Sequence, residues 1–352
     1  MITGVNGWVS IVAENRRAHA SDDRAGGEKR PRGPESDKPG IEPRRELSTV
    51  NHRLGQFFVL PLLMGAVLLA SCTNTSPEAP AQSGAISPTS SNVAGSGVRS
   101  LPPNGVPDGF PEASSTGVRD GVVLQDSDSI SVDQEGAVIA GLRVNGRITV
   151  NASNVTIRDV LIEGGGNGYP IRVSKGVQNV VIEYVEVDNQ DATGIGIFFN
   201  GGSGTVRYAD IHSAEDGIRI QADDVVIENS YIHDLQRAAG GHHDSIQIRE
   251  GNNVTIRGNS LLPYVASTGD PMNAAIQVGS LSGSPIENLR VENNFLDGGN
   301  YTVNGGRAGD IASGQFVNNV FGPNARYGPH SRLDNAVWEG NTWFETGSPV
   351  PS

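Results

Sequence analysis

The fold is decided by the stretch Val155-Thr156-Ile157-Arg158-Asp159-Val160-Leu161-Ile162, which combines apolar residues with a short polar step. Seven further copies of this phrase follow. From Ile157 onward, equivalent residues are 25, 24, 21, 29, 35, 25 and 22 positions apart. A step in the low twenties with period-two alternation predicts a solenoid built from short strands. The later copies occupy residues 180–187, 204–211, 225–232, 254–261, 289–296, 314–321 and 336–343.

The residue types within the phrase favour strands over helices. Val, Ile and Thr dominate the copies, and no window between them has apolar residues at helical spacing. The sequence therefore predicts an all-β parallel β-helix of about eight to ten coils. Most coils contain a second phrase, such as Gly217-Ile218-Arg219-Ile220, whose alternation places Ile inward and one side chain outward. We expect one exterior column formed by Arg172, Gly196, Arg219, Gln247 and Gln277.

A column of alternating charge tests this stacking. The residue after each reference position changes sign at every step from one copy to the next. Opposite charges across neighbouring strands are favourable and like charges are not, so the alternation supports pairing of consecutive coils. The column comprises Arg158, Glu183, Arg207, Glu228, Arg257 and Glu292.

Asparagine recurs where each coil bends between strands. Asn tolerates the left-handed backbone conformation and bonds its own chain there, so we expect a ladder of turns and not a functional site. The residues concerned are Asn229, Asn259, Asn293, Asn294, Asn318, Asn319 and Asn341.

Outside the repeats, composition predicts four further segments. Residues 57–71 form an apolar run that ends in small residues, the layout of a signal peptide. Leu69-Ala70-Ser71-Cys72 resembles the lipobox of bacterial lipoproteins, in which the cysteine is acylated. The single cysteine also excludes an intrachain disulfide. We expect a disordered leader or mis-assigned start over 1–49, a lipoprotein signal peptide over 50–71, a Ser/Pro/Ala-rich tether over 72–117, the β-helix over 118–345 and a tail over 346–352.

These segments and the charge of the chain bear on its partners. An acyl chain on Cys72 would hold the protein at the extracellular face of a membrane without a spanning segment. Residues 118–352 contain 15 Lys and Arg against 28 Asp and Glu, a balance of −13 that disfavours nucleic acid. We expect a monomer.

Two long connections indicate where a ligand would bind. Residues 233–244 and 262–271 lengthen successive coils at the same corner, and insertions in solenoids collect on the binding face. Tyr264 lies in the second insertion and offers an aromatic ring to a sugar. The polar residues expected beneath the insertions are Asp216, Asp244, Arg219, Gln221, Gln247, Arg249 and Gln277.

The segment from His242 to Asp244 carries the sharpest chemical hypothesis. An aspartate close to a histidine can orient it as a general base or acid, so His243 or His242 is the expected proton-transfer group, with Asp244 as its orienter. Asp216 would be a second carboxylate close to Asp244. Repulsion between the two negative charges would raise the pKa of one of these aspartates, or the two would together help to bind Ca²⁺.

Arg219 and Arg249 are the candidates for neutralising a substrate carboxylate. An aspartate at a strand entry can instead cap a turn, and that alternative stays open. His212 and His233, at equivalent positions on successive coils, are expected to be a structural stack. Zinc is disfavoured because the cysteine needed for a typical zinc site is missing and no helical histidine pair occurs.

With these residues in view, residues 105–352 resemble the secreted right-handed parallel β-helix proteins of actinobacteria, within the pectate-lyase-like superfold. Three stretches carry the resemblance: 109–118, the rung 243–248, and 337–343 followed by 347–351. The wider superfamily includes polysaccharide lyases and polygalacturonases. The paired aspartates and Gly-His-Gly of polygalacturonases are missing, since Asp223-Asp224 begins a strand and Gly241-His242-His243 lacks the final glycine.

Two functions follow from the resemblance and the candidate residues. One is a surface-tethered enzyme acting on polysaccharide, most plausibly a lyase and less so a glycoside hydrolase. The other is a non-catalytic glycan-binding or cell-envelope scaffold protein that uses the same groove only for adhesion.

Overall fold

The computed structural model describes residues 98–352 apart from 167, 238, 240 and 280–282. The predicted leader over 1–49, the signal peptide over 50–71, Cys72 and most of the tether lie outside the described residues. Among the described residues, the regular structure is entirely β: 23 strands join into one continuous parallel sheet. The predicted all-β parallel β-helix is confirmed.

The strands form three rows that run along the solenoid. The first row takes the start of each repeated phrase, the second row its end, and the third row the second phrase of each coil. Long strands in the first coils span more than one row. β2 (Val138–Val150) pairs with both β3 (Thr156–Glu163) and β4 (Ile171–Val173) and runs through all three rows. β5 (Val180–Asp188) pairs with both β7 (Gly204–Arg207) and β8 (Asp210–His212) and spans the first two.

The bounds of the strands follow the predicted phrases. Those of the first and second rows are β1 (Gln125–Val132), β2 (Val138–Val150), β3 (Thr156–Glu163), β5 (Val180–Asp188), β7 (Gly204–Arg207), β8 (Asp210–His212), β10 (Val225–Glu228), β11 (Tyr231–Ile232), β13 (Thr255–Arg257), β14 (Ser260–Leu261), β16 (Leu289–Glu292), β17 (Phe295–Leu296), β19 (Gly314–Val317), β20 (Val320–Phe321), β22 (Ala336–Glu339) and β23 (Thr342–Trp343). Those of the third row, into which the ends of β1 and β2 also extend, are β4 (Ile171–Val173), β6 (Ile195–Asn200), β9 (Asp216–Gln221), β12 (Asp244–Glu250), β15 (Ala274–Val278), β18 (Tyr301–Asn304) and β21 (Gly328–Ser331).

The predicted register of the repeated phrase is confirmed. Ile157 pairs with Ile182, and the pairing continues through every reference residue to Phe316 with Trp338. These side chains stack inside the solenoid, where all but Trp338 are fully buried. Burial of a Val or Ile side chain contributes roughly 1.5–3 kcal/mol, so this one column is a major source of stability.

The alternating charge column also forms as predicted. Arg207 pairs with Glu183 at 2.6 Å, and Arg257 pairs with Glu228 at 2.5 Å. Both arginines are about half exposed, so each pair is worth at most about 1 kcal/mol. The column therefore favours the correct register more than it adds to the stability.

The exterior column of the third row differs from the prediction at one position. Arg172 pairs with Phe198, and Phe198 pairs with Arg219, so Phe198 takes the place predicted for Gly196. The prediction was wrong because Ile197, not Ile195, pairs with Ile171. The remaining register, from Arg219 through Gln247 to Gln277, is confirmed.

The asparagines separate into two kinds. Asn229, Asn293 and Asn318 have φ values of 49–58° and form the predicted left-handed turns. Asn259, Asn294, Asn319 and Asn341 instead form a buried ladder inside the solenoid.

Each buried rung of this ladder is closed by hydrogen bonds. The backbone N of Asn259 and its Nδ2 both donate to Asn294 Oδ1, at 3.0 and 2.9 Å. Asn294 Nδ2 in turn donates to Ile256 O at 2.9 Å and to Asn319 Oδ1 at 2.9 Å. Each buried amide therefore satisfies backbone groups of its own or the neighbouring coil at the bend.

The folded part starts before the predicted boundary at residue 118. A segment that we call the strap, residues 98–117, packs across the outer face of the second row, where Val106 joins Tyr231, Leu262 and Phe295 in an apolar cluster. One end of the strap is fixed by the hydrogen bond from Arg99 N to Glu345 O, and the other by that from Gly117 N to Tyr208 O.

The predicted tail closes the last coil. Trp338 Nε1 donates to Val350 O at 3.0 Å, and Val350 N donates to Asn341 O at 2.9 Å. The side chain of Val350 is buried against the core. Residues 346–352 therefore shield the end of the solenoid, which would otherwise expose apolar side chains.

We predict that Asn294→Ala lowers the free energy of unfolding by about 3 kcal/mol, because it leaves Asn259 N–H buried without its acceptor and removes the side-chain hydrogen bonds to Ile256 O and Asn319 Oδ1. Urea unfolding followed by circular dichroism measures the loss. The matched control is Asn253→Gly in the exposed ladder, where glycine keeps the left-handed backbone. This control substitution should lower the free energy of unfolding by no more than about 1 kcal/mol. Equal losses in the two variants would contradict a special role for the buried ladder.

Candidate functional site

The long connections share one corner of the solenoid. Residues 233–243 join β11 to β12, and residues 262–273 join β14 to β15, so both insertions link the second row to the third. The shorter connections 297–300 and 322–327 lie at the same corner of the following coils. The predicted placement of the insertions on one corner is therefore confirmed.

The two predicted carboxylates lie on neighbouring strands. Asp244 N donates to Asp216 Oδ1 at 3.0 Å, and both side chains are fully buried. Simple alternation would have placed Asp216 inward with Ile218. An added Cβ on Gly217 would lie 2.4 Å from Ile232 Cγ2, so residues 217 and 218 both face the core and the strand turns a corner there. This corner leaves Asp216 on the outer side.

Each carboxylate has close polar partners. Asp216 Oδ2 accepts a hydrogen bond from Arg219 Nη2 at 2.6 Å. Asp244 Oδ1 accepts one from Asn273 Nδ2 at 2.6 Å, and Asp244 Oδ2 accepts one from Gln247 Nε2 at 3.2 Å. We expected Asp244 to orient His243, whereas the structure gives the Asp244 carboxylate these two amide partners.

Burial controls the protonation of this pair. Desolvation raises the pKa of Asp244 well above its usual range, and the neighbouring Asp216 raises it further. The expected like-charge effect is therefore present, although burial is the larger cause. Asp244 and the Asp216–Arg219 ion pair lie at the joint between two coils, and neither carboxylate is accessible to a ligand.

The two histidines differ in accessibility. His242 is exposed, while His243 is 2% exposed and has a φ of 64°. An added Cβ on Gly241 would lie 2.8 Å from His243 Nε2 and 2.7 Å from Glu215 Oε1, so these two side chains flank the same glycine. His243 is thus packed under its own loop.

The other predicted residues are only partly brought together. Gln277 joins the buried network, because Asn273 Nδ2 donates to Gln277 Oε1 at 3.2 Å. Gln221 and Arg249 lie two residues beyond Arg219 and Gln247 on their strands, away from the carboxylates, and Gln221 pairs with Glu250 across a bulge. Tyr264 faces a different place, a cavity on the second-row side of the corner.

This cavity, which we call the corner cavity, has a volume of about 210 Å³. The strap forms one wall, and four successive corner connections form the other. Its lining combines two tyrosine rings with carboxylate, imidazole and amide groups, the mixture expected of a site for a small polar ligand. The lining residues are Leu101, Pro102, Pro103, Asn104, Gly105, Tyr231, His233, Asp234, Leu262, Tyr264, Ala266, Asp297 and Asn324.

His233 is held rigidly in the wall of the corner cavity. Its Nε2 lies 2.9 Å from Asp210 Oδ1, its Nδ1 lies 2.7 Å from Asp234 Oδ2, and its ring stacks on Tyr231 with centroids 4.0 Å apart. Burial by itself lowers the pKa of His233, but the hydrogen bonds to the two carboxylates outweigh it and raise that pKa to about 9. His233 is thus an imidazolium at neutral pH, and its ring lies 5.4 Å from that of His212, which agrees with the predicted stack.

Asp297 is the second titratable group of the corner cavity with a shifted pKa. Burial raises the pKa of Asp297 to about 6, although hydrogen bonds from Asn324 N and Nδ2, at 2.9 and 2.7 Å, oppose the shift. The carboxyl group lies against Gly322, where an added Cβ would come within 2.4 Å of Asp297 Oδ1. By contrast, His233 lowers the pKa of Asp234. The cavity therefore holds one carboxyl group with a raised pKa, Asp297, and one with a lowered pKa, Asp234.

Sequence reasoning missed Asp297, Asp234, Tyr231 and Asn324 as site residues. A signal for Asp297 was present, because it directly follows the second-row strand β17, as His233 follows β11. The wall supplied by the strap had no such signal, since it depends on contacts between residues far apart in the chain.

Two further findings concern metals and membranes. In the described part of the chain, no group of three or more His, Cys, Asp or Glu side chains is placed to hold a metal ion. Within residues 98–352, outside the masked positions, no helix has the length and hydropathy to cross a bilayer.

We predict that His233 makes stability depend on pH. Its folded-state pKa of about 9 exceeds the ordinary 6.5, so its stabilisation is complete below pH 6.5 and is lost as the pH rises through 9. The shift corresponds to about 3 kcal/mol. Unfolding free energies of wild type and His233→Gln should therefore differ most at pH 6 and converge by pH 10. The control His242→Gln, at an exposed position, should show the same dependence of unfolding free energy on pH as wild type. If the His233→Gln curve instead ran parallel to the wild-type curve at every pH, the pKa shift assigned to His233 would be refuted.

Comparison with known proteins agrees with this architecture. A family model described as "Right handed beta helix region" matches residues 114–296 and 195–342, which together exceed half of the chain. No curated protein and no solved structure matches the chain. On the strength of this match and of the parallel three-row solenoid, the chain belongs to the right-handed β-helix family.

Proposed function

We propose that this protein binds polysaccharide at the cell surface and holds a sugar unit of the chain in the corner cavity. The observation that supports this most is the lining of that cavity. Tyr264 and Tyr231 provide aromatic surface, while Asp234, Asp297 and Asn324 provide groups that bond hydroxyls. Sugars present both an apolar ring face and polar edges, so they fit a site with both kinds of group.

The size of the cavity supports a single sugar unit. Its volume of about 210 Å³ is below the roughly 300 Å³ at which pockets for drug-sized ligands begin. The remainder of a polymer would continue along the corner, where insertions already project from successive coils. The β-helix fold is common among proteins that act on or bind polysaccharide, but the fold alone does not assign a function.

Tyr264 is well placed to be the sugar platform. Its backbone and Cβ lie directly against Gly298, where an added Cβ would come within 2.7 Å of the Tyr264 Cβ. Gly298 has a φ of 101°, a conformation that other residues rarely adopt. The connection of the next coil therefore supports the backbone and Cβ of Tyr264.

A lyase is the second candidate function. The observation that favours it is the raised pKa of Asp244 beside Asp216 and Arg219, since strongly shifted groups often mark catalytic sites. In this proposal His243 or His242 transfers the proton, and Arg219 with Arg249 neutralises the substrate. Complete burial of Asp216 and Asp244 weighs against it, because substrate reaches them only after the 233–243 loop moves.

We predict that Tyr264→Ala weakens polysaccharide binding by at least about tenfold, because one aromatic stacking contact contributes roughly 0.5–1.5 kcal/mol beyond the area it buries. Wild type and variant are tested against neutral, amino and uronic polysaccharides by co-sedimentation and calorimetry. Tyr327→Ala, at a tyrosine that is 66% exposed and does not line the cavity, is the matched control and should bind as wild type does.

The same incubations discriminate binding from cleavage. New unsaturated or reducing ends with wild type, which disappear with His243→Ala, would favour the lyase. Polymer that stays intact but is retained by wild type and by His243→Ala supports binding alone. If no polysaccharide is retained or cleaved, the proposed function is wrong.

We propose further that Cys72 is acylated and anchors the protein on the extracellular face of the membrane. The lipobox-like sequence Leu69-Ala70-Ser71-Cys72 and the apolar run before it support this proposal. We predict that Cys72→Ser moves the protein from the membrane fraction to the soluble fraction and abolishes labelling by a fatty-acid analogue. An unchanged distribution and unchanged labelling would refute acylation.

A further inference from the structure

The charge of the corner cavity distinguishes between classes of sugar. Neither Lys nor Arg is among the described residues that line it. Two carboxyl groups do line it, and that of Asp234 is 66% exposed. His233 is the cationic group of the lining, but each of its ring nitrogens is already paired with a carboxylate.

Nearby cations are also engaged. Arg237, on the insertion that follows His233, is paired with Asp270 through its Nε and Nη2. Arg219 is paired with Asp216 in the buried network of the third row. A substrate carboxylate in the cavity would therefore meet two carboxyl groups and no Lys or Arg among the described lining residues, a costly arrangement.

A cationic ligand meets the opposite situation. An ammonium group donates hydrogen bonds to carboxylates, and such charge-assisted bonds are about twice as strong as neutral ones. The tyrosine rings add a second favourable contact, because a cation is attracted to an aromatic face. The large acidic excess of the domain adds a long-range attraction of the same sign.

We propose that the polysaccharide recognised by the corner cavity carries free amino groups, as in a de-N-acetylated hexosamine polymer, and is not a polyuronate. This inference rests on the proposed function and specifies its substrate class. Asp234, whose carboxylate is 66% exposed, would accept hydrogen bonds from the ammonium group, while Tyr264 covers the ring face. Asp297 is buried and already bonded by Asn324, so it would add negative charge to the lining without touching the ammonium group.

The test compares three oligosaccharides of equal length: glucosamine, N-acetylglucosamine and galacturonate oligomers. Isothermal titration calorimetry at neutral pH should give an affinity for the glucosamine oligomer at least about tenfold above that for its acetylated counterpart, because a hydrogen bond to a charged group contributes roughly 1.5–3 kcal/mol. The galacturonate oligomer should bind weakest. Added salt should reduce the preference for the amino oligomer.

Charge-matched variants separate the cavity from the general acidity of the protein. Asp234→Asn and Asp297→Asn each remove one negative charge from the lining and should abolish most of the preference for the amino oligomer. Asp334→Asn removes one charge at an exposed position outside the cavity and should retain it. Using two cavity variants protects the test, since Asp297 also fixes Asn324 and its substitution affects folding more.

Each outcome is decisive. Equal affinity for the amino and acetylated oligomers, tighter binding of galacturonate, or equal losses in Asp334→Asn and the cavity variants would overturn the charge selection while leaving saccharide binding intact. No binding of any oligosaccharide or polymer would instead overturn the proposed function itself.

Discussion

Register between consecutive coils is the constraint on which the rest of this structure depends. Residues 21–35 positions apart in the chain pair side by side because Ile157 and its equivalents must stay inside. Once that column is fixed, the same spacing applies to every other position. It places the charge column outside and aligns Asn259 with Asn294 in the buried ladder. A slip of one residue would reverse inside and outside for a whole strand, so the register is strongly specified.

The corner between the second and third rows is released from this constraint. The connections at this corner differ in length from coil to coil while the strands on either side keep their register, so the chain accommodates insertions there. The corner cavity results from this freedom combined with the strap. Residues near 101 in the strap and residues near 297 and 324 in the corner contribute opposite walls. Solenoid stacking gives rigidity to His233 and Asp297, while the loops give the cavity its shape.

The two clusters of polar residues at this corner illustrate different uses of burial. Asp216 and Asp244 are sealed beneath a loop and satisfied by Arg219, Asn273 and Gln247, which is the behaviour of a structural joint. In the corner cavity, by contrast, the carboxylate of Asp234 is 66% exposed. His233 remains charged there because two carboxylates compensate its desolvation, whereas Asp297 receives amide partners and shifts toward its neutral form. Accessibility, more than residue type, distinguishes a binding site from a joint.

The amino-acid sequence by itself determined the fold class, the strand phrases, the register of the first row, the charge column and the corner that carries the insertions. Each follows from local alternation and from the spacing of the repeats, and both can be read from a single amino-acid sequence. Only the tertiary structure decided that Phe198 replaces Gly196 in the exterior column, that the chain turns a corner at Gly217 and leaves Asp216 outside, and that the strap completes a cavity around Asp297. These features depend on loop length and on contacts between distant residues, and no periodicity encodes them.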